Sequence, residues 1–330
     1  MSRSRSIGLS AAALTGLAAG ILALAPAVVA GSSSADAARA RHESIVRHWT
    51  PERMKAAVPR DRVSHPAKRP GGGGGGGTVT GASWTGGGEV LQATGKVYFE
   101  MDGGAWVCTG TAVQDGTANR SIVATAGHCA IDESTGEFAT NWLFIPDFDA
   151  APTFTCSRTK YGCWTATALV VDRAFATAGG FDTQATINDW AFAVVGPGGK
   201  SGSQQLDAAV PAQAISFAGL STGQSIDSFG YPAAGKYHGN DLSYCAGNVF
   251  HDSLNDNLTW GLSCDMTGGS SGGPWLSSFN ASTGRGTVSG LNSYGYSGVR
   301  NLYGPQFDAD TQSTFNAAKS ASTNTVVAAG

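Results

Sequence analysis

A serine in a glycine-rich turn is the part of this sequence best suited to chemistry. Residues 267–274 read Thr-Gly-Gly-Ser-Ser-Gly-Gly-Pro, and Ser271 stands directly before two glycines. Glycine accepts positive φ angles, so such a turn can point its backbone N–H groups inward and let a substrate carbonyl approach closely. Ser271 is therefore a candidate nucleophile for acyl transfer, and the amides of Gly269 and Ser271 are candidate donors to the oxyanion. The alternative is an ordinary Gly/Ser loop, because the chain contains 47 glycines.

Two other segments carry the partners that a serine nucleophile needs. Residues 122–129, Ile-Val-Ala-Thr-Ala-Gly-His-Cys, form an apolar strand that runs into a small-residue turn presenting His128. Residues 187–195, Ile-Asn-Asp-Trp-Ala-Phe-Ala-Val-Val, place Asp189 at the start of another apolar strand. Taken singly, each residue has a structural alternative. His128 could be a structural imidazole, and Asp189 could be a strand-start residue that accepts hydrogen bonds from backbone amides. Three rivals lack the strand settings of this pair: Asp182, His238 and His251.

Together these segments resemble the trypsin/chymotrypsin-like serine peptidases. Thr-Ala-Gly-His-Cys, Asp-Trp-Ala-Phe and Gly-Ser-Ser-Gly-Gly-Pro match that family's His, Asp and Ser motifs in its chain order, over roughly residues 90–320. The resemblance implies that His128 is the base, that Asp189 orients it and that Ser271 attacks, with no metal or organic cofactor. Residues 229–232 and 303–305 extend the similarity to secreted bacterial peptidases related to the glutamyl endopeptidases.

The substrate pocket departs from the trypsin pattern. Ser270 stands where the family commonly has an acid directly before the nucleophile, and Cys264 lies seven residues before Ser271 rather than four. Asp265 occupies the offset at which trypsin carries its pocket acid, so Asp265 and Ser293 are the candidate pocket residues. Residues 289–294 contain no histidine, which glutamyl endopeptidases use in that strand to hold the substrate carboxylate. We therefore expect poor glutamate selectivity and a basic or mixed preference.

Two functions outside this class are kept open. One is a peptidase-like secreted protein that binds ligands without catalysis, although such proteins usually lose a triad residue and here all three motif positions are filled. The other is an esterase that uses the same triad. Labelling by a serine-directed organophosphonate separates the first from an enzyme, and a comparison of amide with ester substrates separates the second.

The N-terminal residues predict export. Residues 1–30 carry Arg3 and Arg5 before an apolar stretch and end in Val-Val-Ala, which is typical of a cleaved signal peptide. A membrane anchor is the alternative, and the interruption of the stretch by two glycines and a proline disfavours it. The expected product is a secreted, extracellular monomer that acts on protein or peptide substrates and touches no membrane once the signal is removed.

Residues 31–77 are interpreted as a basic pro-segment with a flexible linker. Residues 31–70 hold nine Lys/Arg and four Asp/Glu, a net charge of about +5, and glycines fill positions 71–77. Thr50 and Pro51 predict the start of a short helix within this segment. The alternative is a disordered basic tail that the mature protein retains.

Residues 78–330 form the predicted peptidase domain. They hold ten Lys/Arg and 20 Asp/Glu, a net charge of about −10. A basic leader beside an acidic domain predicts that the domain's own pro-segment docks on it electrostatically. The same acidity argues against nucleic acid as a partner.

Six cysteines, all after residue 100, predict disulfides, because an even number behind a signal peptide is typical of oxidised exported proteins. A metal site is disfavoured, since no close cysteine pair has zinc-finger spacing and no histidine cluster lies beside the cysteines. Sequence alone does not choose among the pairings. Chain order suggests three local loops, Cys108–Cys129, Cys156–Cys163 and Cys245–Cys264, and the first resembles the family's bridge at the histidine loop.

Short strands and glycine-rich turns predict an all-β fold of sandwich or barrel type. Strands are predicted at 90–99, 106–113, 121–126, 166–171, 190–195, 225–229, 247–251, 258–262 and 287–293, and a C-terminal helix at 308–319. The family resemblance narrows this to two six-stranded antiparallel β-barrels, about 85–198 and 203–320. His128 and Asp189 then belong to the first barrel and Ser271 to the second, with a peptide lying in the cleft between them.

Overall fold

The computed structural model describes residues 34–60, 63–64, 80–118, 120–148 and 155–328. The signal peptide and polyglycine linker expected at 1–30 and 71–77 lie outside the described residues. The helices are α1 Ser34–His48, α2 Pro51–Ala56, α3 Gly88–Ala93, α4 Arg173–Ala176, α5 Thr183–Ile187, α6 Leu206–Ala209 and α7 Ala309–Ala318, with short 3-10 turns at Gly127–Cys129, Cys156–Arg158 and Ser253–Asn255. The strands are β1 Val58–Pro59, β2 Val63–Ser64, β3 Ala82–Ser83, β4 Thr94–Met101, β5 Gly104–Val113, β6 Ser121–Thr125, β7 Thr140–Pro146, β8 Trp164–Asp172, β9 Ala191–Val195, β10 Ala214–Ile215, β11 Ser225–Gly230, β12 Ser243–Asn248, β13 Phe250–His251, β14 Trp260–Ser263, β15 Pro274–Asn280, β16 Arg285–Leu291, β17 Gly295–Tyr296, β18 Asn301–Gly304 and β19 Thr325–Val327.

The first half of the domain is a closed antiparallel barrel. Its strands follow the order β5-β4-β7-β8-β9-β6, and the pairing of β6 with β5 completes the ring. Closure removes the free sheet edges that would otherwise invite pairing with other chains. The short strands β1 and β19 add in parallel to β5 and β8. Large buried side chains fill this half, among them Phe144, Trp164, Phe192 and Tyr98.

The second half is built from β11, β12, β15 and β16, which belong to one sheet, and from β14 and β18 in a second sheet. β12 contacts β14, and the disulfide between Cys245 of β12 and Cys264 just after β14 links the two sheets covalently. With the closed first barrel, this arrangement confirms the expected all-β, chymotrypsin-like fold.

The strand predicted at 90–99 was wrong in its first residues. Gly88–Ala93 is helical and β4 begins only at Thr94. Gly87 and Gly88 have positive φ angles of 61° and 73°, so the chain enters the helix through a turn that β-branched residues would not accept. Val90 and Ala93, one helical turn apart, are both fully buried.

Both predicted helices are confirmed. The hydroxyl of Thr50 caps α2 by accepting a hydrogen bond from the Arg53 amide at 3.3 Å. Asp308 caps α7 by accepting from the amides of Asp310 and Thr311. α7 packs on β8 and β9 of the first barrel, where Phe315 meets Phe192 with ring centroids 5.1 Å apart.

The three suggested disulfides are all present: Cys108–Cys129, Cys156–Cys163 and Cys245–Cys264. The first joins β5 to the turn that carries His128. Among the described residues, no helix is both long enough and apolar enough to cross a membrane.

Candidate active site

The pairing of two strands brings His128 and Asp189 together. Thr125, the last residue of β6, lies opposite Ala191, the first residue of β9. His128 lies three positions after β6 and Asp189 lies two positions before β9, so both residues lie at the same end of this strand pair. Nδ1 of His128 lies 2.7 Å from Oδ2 of Asp189, and the His128 amide donates to Oδ1 at 2.8 Å. Both residues are fully buried.

The environment of Asp189 favours its charged form. Burial raises the pKa of the Asp189 carboxyl, but the adjacent His128 and the hydrogen bonds from His128 and Ser293 lower it more, so the net pKa lies below the usual value. The Ser293 hydroxyl donates to Oδ2 at 2.5 Å. A charged Asp189 keeps the proton of neutral His128 on Nδ1 and leaves the Nε2 lone pair for proton abstraction.

Nε2 of His128 is buried and makes no hydrogen bond to any residue that the structure describes. The Phe181 ring meets the imidazole edge-on, with centroids 5.9 Å apart, and covers one side of it. Hydrogen bonds between catalytic groups often tighten only when substrate is bound. The geometry therefore leaves Nε2 as the unused basic atom of the cluster.

Main-chain hydrogen bonds fix the loop that carries Ser271. The Ser271 carbonyl accepts from the Thr109 amide of β5 at 2.8 Å, and the Gly272 amide donates to the Asn292 carbonyl at 2.7 Å. Gly272 has a φ of 80°, and a Cβ atom there would collide with Thr109 and Thr125 of the first barrel. Glycine at this position therefore lets the nucleophile loop approach the His128 turn closely.

The predicted oxyanion donors lie on either side of the Ser270 side chain, in the loop that carries the nucleophile candidate. Within the described part of the chain, the amides of Gly269 and Ser271 donate to no other group. Gly269 has a φ of 93°, which only glycine adopts easily. Ser270 between them is buried, and its hydroxyl donates to the Thr267 carbonyl at 2.8 Å. The two amides are thus available to an incoming carbonyl oxygen.

Sequence reasoning missed two positioning residues, Asn292 and Thr109. The Asn292 amide nitrogen donates to the carbonyls of Phe229 and Ser270 at 3.0 and 3.1 Å, while its oxygen accepts from Ser228 and Trp275, both at 2.7 Å. The Thr109 hydroxyl donates to the Gly269 carbonyl at 2.8 Å. The sequence does contain a signal for Asn292 and Thr109, because each is a polar residue at a strand position that is expected to be buried.

A cavity of about 680 Å³ opens beside Ser271. Both predicted pocket residues, Asp265 and Ser293, line it, although the Ser293 hydroxyl is directed to Asp189. The Asp265 carboxylate accepts hydrogen bonds from Lys236 at 2.9 Å, from the Tyr237 hydroxyl at 2.7 Å and from the Gly81 amide at 2.8 Å. Burial raises the pKa of Asp265, but these hydrogen bonds and the Lys236 charge lower it below the usual value.

The rival residues have structural roles or surface positions. Asp182 caps α5 by accepting from the Ala185 amide at 3.0 Å, and His251 stacks on Trp260 with centroids 4.1 Å apart. His238 is exposed. Side-chain atoms of Cys108, Cys129 and His128 lie within 4.8 Å of one another, but the two sulfurs are joined as a disulfide and are not thiolate ligands.

Comparison with known proteins gives matches among solved structures. No protein-family model matches the chain, and no curated protein is significantly similar to it. The protease Anisep from Arthrobacter nicotinovorans is 35% identical with a TM-score of 0.60, over 70% of this chain and 96% of that one. The thermostable serine protease AL20 from an extremophilic microorganism is 34% identical with a TM-score of 0.59, over 69% and 97%. A Glu endopeptidase, 20% identical with a TM-score of 0.50 over 68% and 90%, shares the fold.

Proposed function

The chain belongs to the trypsin/chymotrypsin-like serine peptidases and is a serine-type endopeptidase, and we propose that His128, Asp189 and Ser271 are its catalytic triad. The observation that carries the proposal is the fully buried Asp189–His128 pair, which lies beside the loop of Ser271. The two side chains share a 2.7 Å hydrogen bond, and Nε2 of His128 has no hydrogen-bond partner among the described residues. The strand ends and the Cys108–Cys129 bridge hold this pair in place.

The proposed reaction passes through an acyl-enzyme. Nε2 of His128 takes the hydroxyl proton of Ser271 as Oγ bonds to the substrate carbonyl carbon. The amides of Gly269 and Ser271 stabilise the oxyanion. The peptide C–N bond then breaks as His128 gives the proton to the leaving amine. Water, deprotonated by His128, releases the acyl group and restores Ser271.

We place the substrate side chain in the cavity beside Ser271. The charge of Asp265 is balanced by Lys236, so it offers a weaker attraction for Lys or Arg than an unpaired acid would. No histidine occurs at 289–294 to hold a glutamate carboxylate. A mixed or weakly basic preference follows, with poor glutamate selectivity.

We also propose that the protein is secreted as a monomer and carries a removable pro-segment at 31–77. The signal-like residues 1–30 and the three disulfides support export. α1 and α2 pack on the first barrel as elements separate from its ring of strands, which suits a detachable segment.

Single substitutions at two adjacent serines test the triad. Ser271→Ala is expected to lower the rate of casein hydrolysis by several orders of magnitude. Ser270→Ala is the matched control and should retain most activity. Among the described residues, the Ser270 hydroxyl hydrogen-bonds only to the Thr267 carbonyl. Near-wild-type hydrolysis by Ser271→Ala would disprove the assignment. Labelling of the wild type with a fluorophosphonate separates an enzyme from an inactive binding protein, and hydrolysis of esters without amides would indicate an esterase.

A further inference from the structure

The N-terminal segment reaches the active-site cleft from a docked base on the first barrel. Ile45, Trp49 and Met54 are buried, and the Trp49 indole N–H donates to the Asn141 carbonyl at 2.6 Å. His48 lies 2.7 Å from the Glu100 carboxylate. This base uses apolar contacts as well as charge, so the electrostatic docking expected from composition is only part of the attachment.

From this base the chain runs along β5 toward the histidine turn. β1 pairs with β5 in parallel, with Val58 opposite Trp106 and Pro59 opposite Val107. The Arg60 amide continues the ladder by donating to the Val107 carbonyl at 3.4 Å. The next residue of β5, Cys108, is bonded to Cys129, the neighbour of His128.

Arg60 enters a socket built on the histidine turn. Its guanidinium donates to the His128 carbonyl and to Oδ2 of Asp132, both at 2.7 Å, and lies 3.6 Å from the Glu133 carboxylate. The same group contacts the Met101 sulfur and lies 6.0 Å from the centroid of the Trp106 ring. Arg60 is only 5% exposed. A buried cation requires compensating charge, which the two carboxylates supply.

The segment pairs with the domain a second time, at β17. Val63 and Ser64 pair in parallel with Gly295 and Tyr296, which line the cavity beside Ser271. Arg60 and Val63 are three positions apart, a span of at most about 11 Å for an extended chain. A backbone anchored at the His128 carbonyl and at Gly295 uses the main-chain groups of β17 that a peptide substrate in this cleft would need.

We propose that residues 58–60 and 63–64 hold the N-terminal segment as an inhibitory strap on the active-site cleft, locked by Arg60 in a guanidinium-binding socket formed by Asp132, Glu133 and the His128 carbonyl. The inference rests on the proposed triad, since it assumes that this cleft is where substrate binds. Removal of the segment then frees β17 and the cleft together, which couples processing to activity. Breaking the socket from either side should open the cleft while the segment is still attached.

The full-length chain tests the strap through labelling of Ser271 with a fluorophosphonate. Intact and processed chains are separated by mass on a gel, so the labelling rate of each is read independently. Arg60→Gln should raise the labelling rate of the intact chain by on the order of tenfold or more, because removal of one partner from a buried ion pair strongly weakens it. Arg39→Gln is the matched control, since Arg39 is exposed and, among the described residues, pairs only with Glu43 of its own helix. It should label at the wild-type rate.

Asp132→Asn is the second variant and breaks the socket from the domain side. Its Oδ1 atom remains an acceptor for the Ser134 and Thr135 amides, so the local turn is preserved, and its intact chain should label as fast as that of Arg60→Gln. This variant decides the question if Arg60→Gln does not accumulate. The strap is refuted if intact wild type labels as fast as processed wild type, or if neither variant exceeds wild type. A processed chain that does not label at all would refute the triad instead.

Discussion

Asp265 lines the cavity beside Ser271 and Asp189 is buried behind Ser293 of the same cavity, but the fold gives the two carboxylates opposite surroundings. Asp189 is completely buried and its hydrogen-bond partner is His128, whose other nitrogen is unused within the described chain. The Asp265 side chain is 17% exposed and its partners, Lys236, Tyr237 and the Gly81 amide, hold the cleft wall together. The pKa of each carboxyl lies below its usual value. A lowered pKa therefore marks a well-paired carboxylate, and only the identity of the partner distinguishes the proposed catalytic aspartate from a structural one.

The largest expected contrast between the two aspartates is in turnover. Asp189→Asn should lower kcat by about 10⁴-fold, because the amide favours the wrong His128 tautomer. Asp265→Asn should lower kcat by less than about tenfold, since its partners are structural. Both rates are measured on one labelled casein substrate, with circular dichroism as the control for folding. Equal losses in the two variants would abolish the distinction.

The second contrast is the response of stability to acid. Folding lowers the pKa of Asp189, so its ionised carboxylate contributes to the free energy of unfolding above the unfolded pKa of about 3.9. This contribution is lost as pH falls through the lower folded pKa. The difference in Tm between the parent and Asp189→Asn should therefore narrow below about pH 4. The Asp265→Asn difference should narrow in the same direction by a smaller amount, because that pair is partly solvated.

Thermal unfolding of both variants in a Ser271→Ala background measures this response without self-digestion. The parent for each comparison carries the same Ser271→Ala change. A Tm difference for Asp189→Asn that stays constant from pH 7 to pH 3 would contradict a charged, hydrogen-bonded Asp189.

The smallest expected effect is on substrate preference. Lys236→Gln uncovers the Asp265 charge and should raise cleavage after Lys and Arg several-fold, whereas Asp265→Asn should lower it by a similar small factor. Digestion of a denatured proteome, read at the residues flanking each cut, measures both shifts. A wild-type profile dominated by Glu would reject the predicted poor glutamate selectivity.

Predictions from the sequence are reliable wherever a feature is local. The Thr50 cap, the C-terminal helix, the all-β class and the three short-range disulfides are confirmed, because caps, helix and strand patterns and neighbouring cysteines are encoded within a few tens of residues. The error at 90–93 has a local cause too. The apolar residues there fit a strand or a helical turn equally well, and the burial of Val90 and Ala93 decided between them.

By itself, the sequence determined the family, the residue types of the proposed triad in their order, and the opposite charges of residues 31–70 and 78–330. Only the tertiary structure decided which groups meet across long stretches of chain. Asp265 is joined to Gly81 over 184 positions, Arg60 to Asp132 over 72, and Asn292 to Phe229 over 63. Such contacts leave no periodic trace in the sequence, because they depend on how two barrels and a docked segment pack. For this reason the pocket acid could be located from its motif, while its neutralising partners and the Arg60 socket could not.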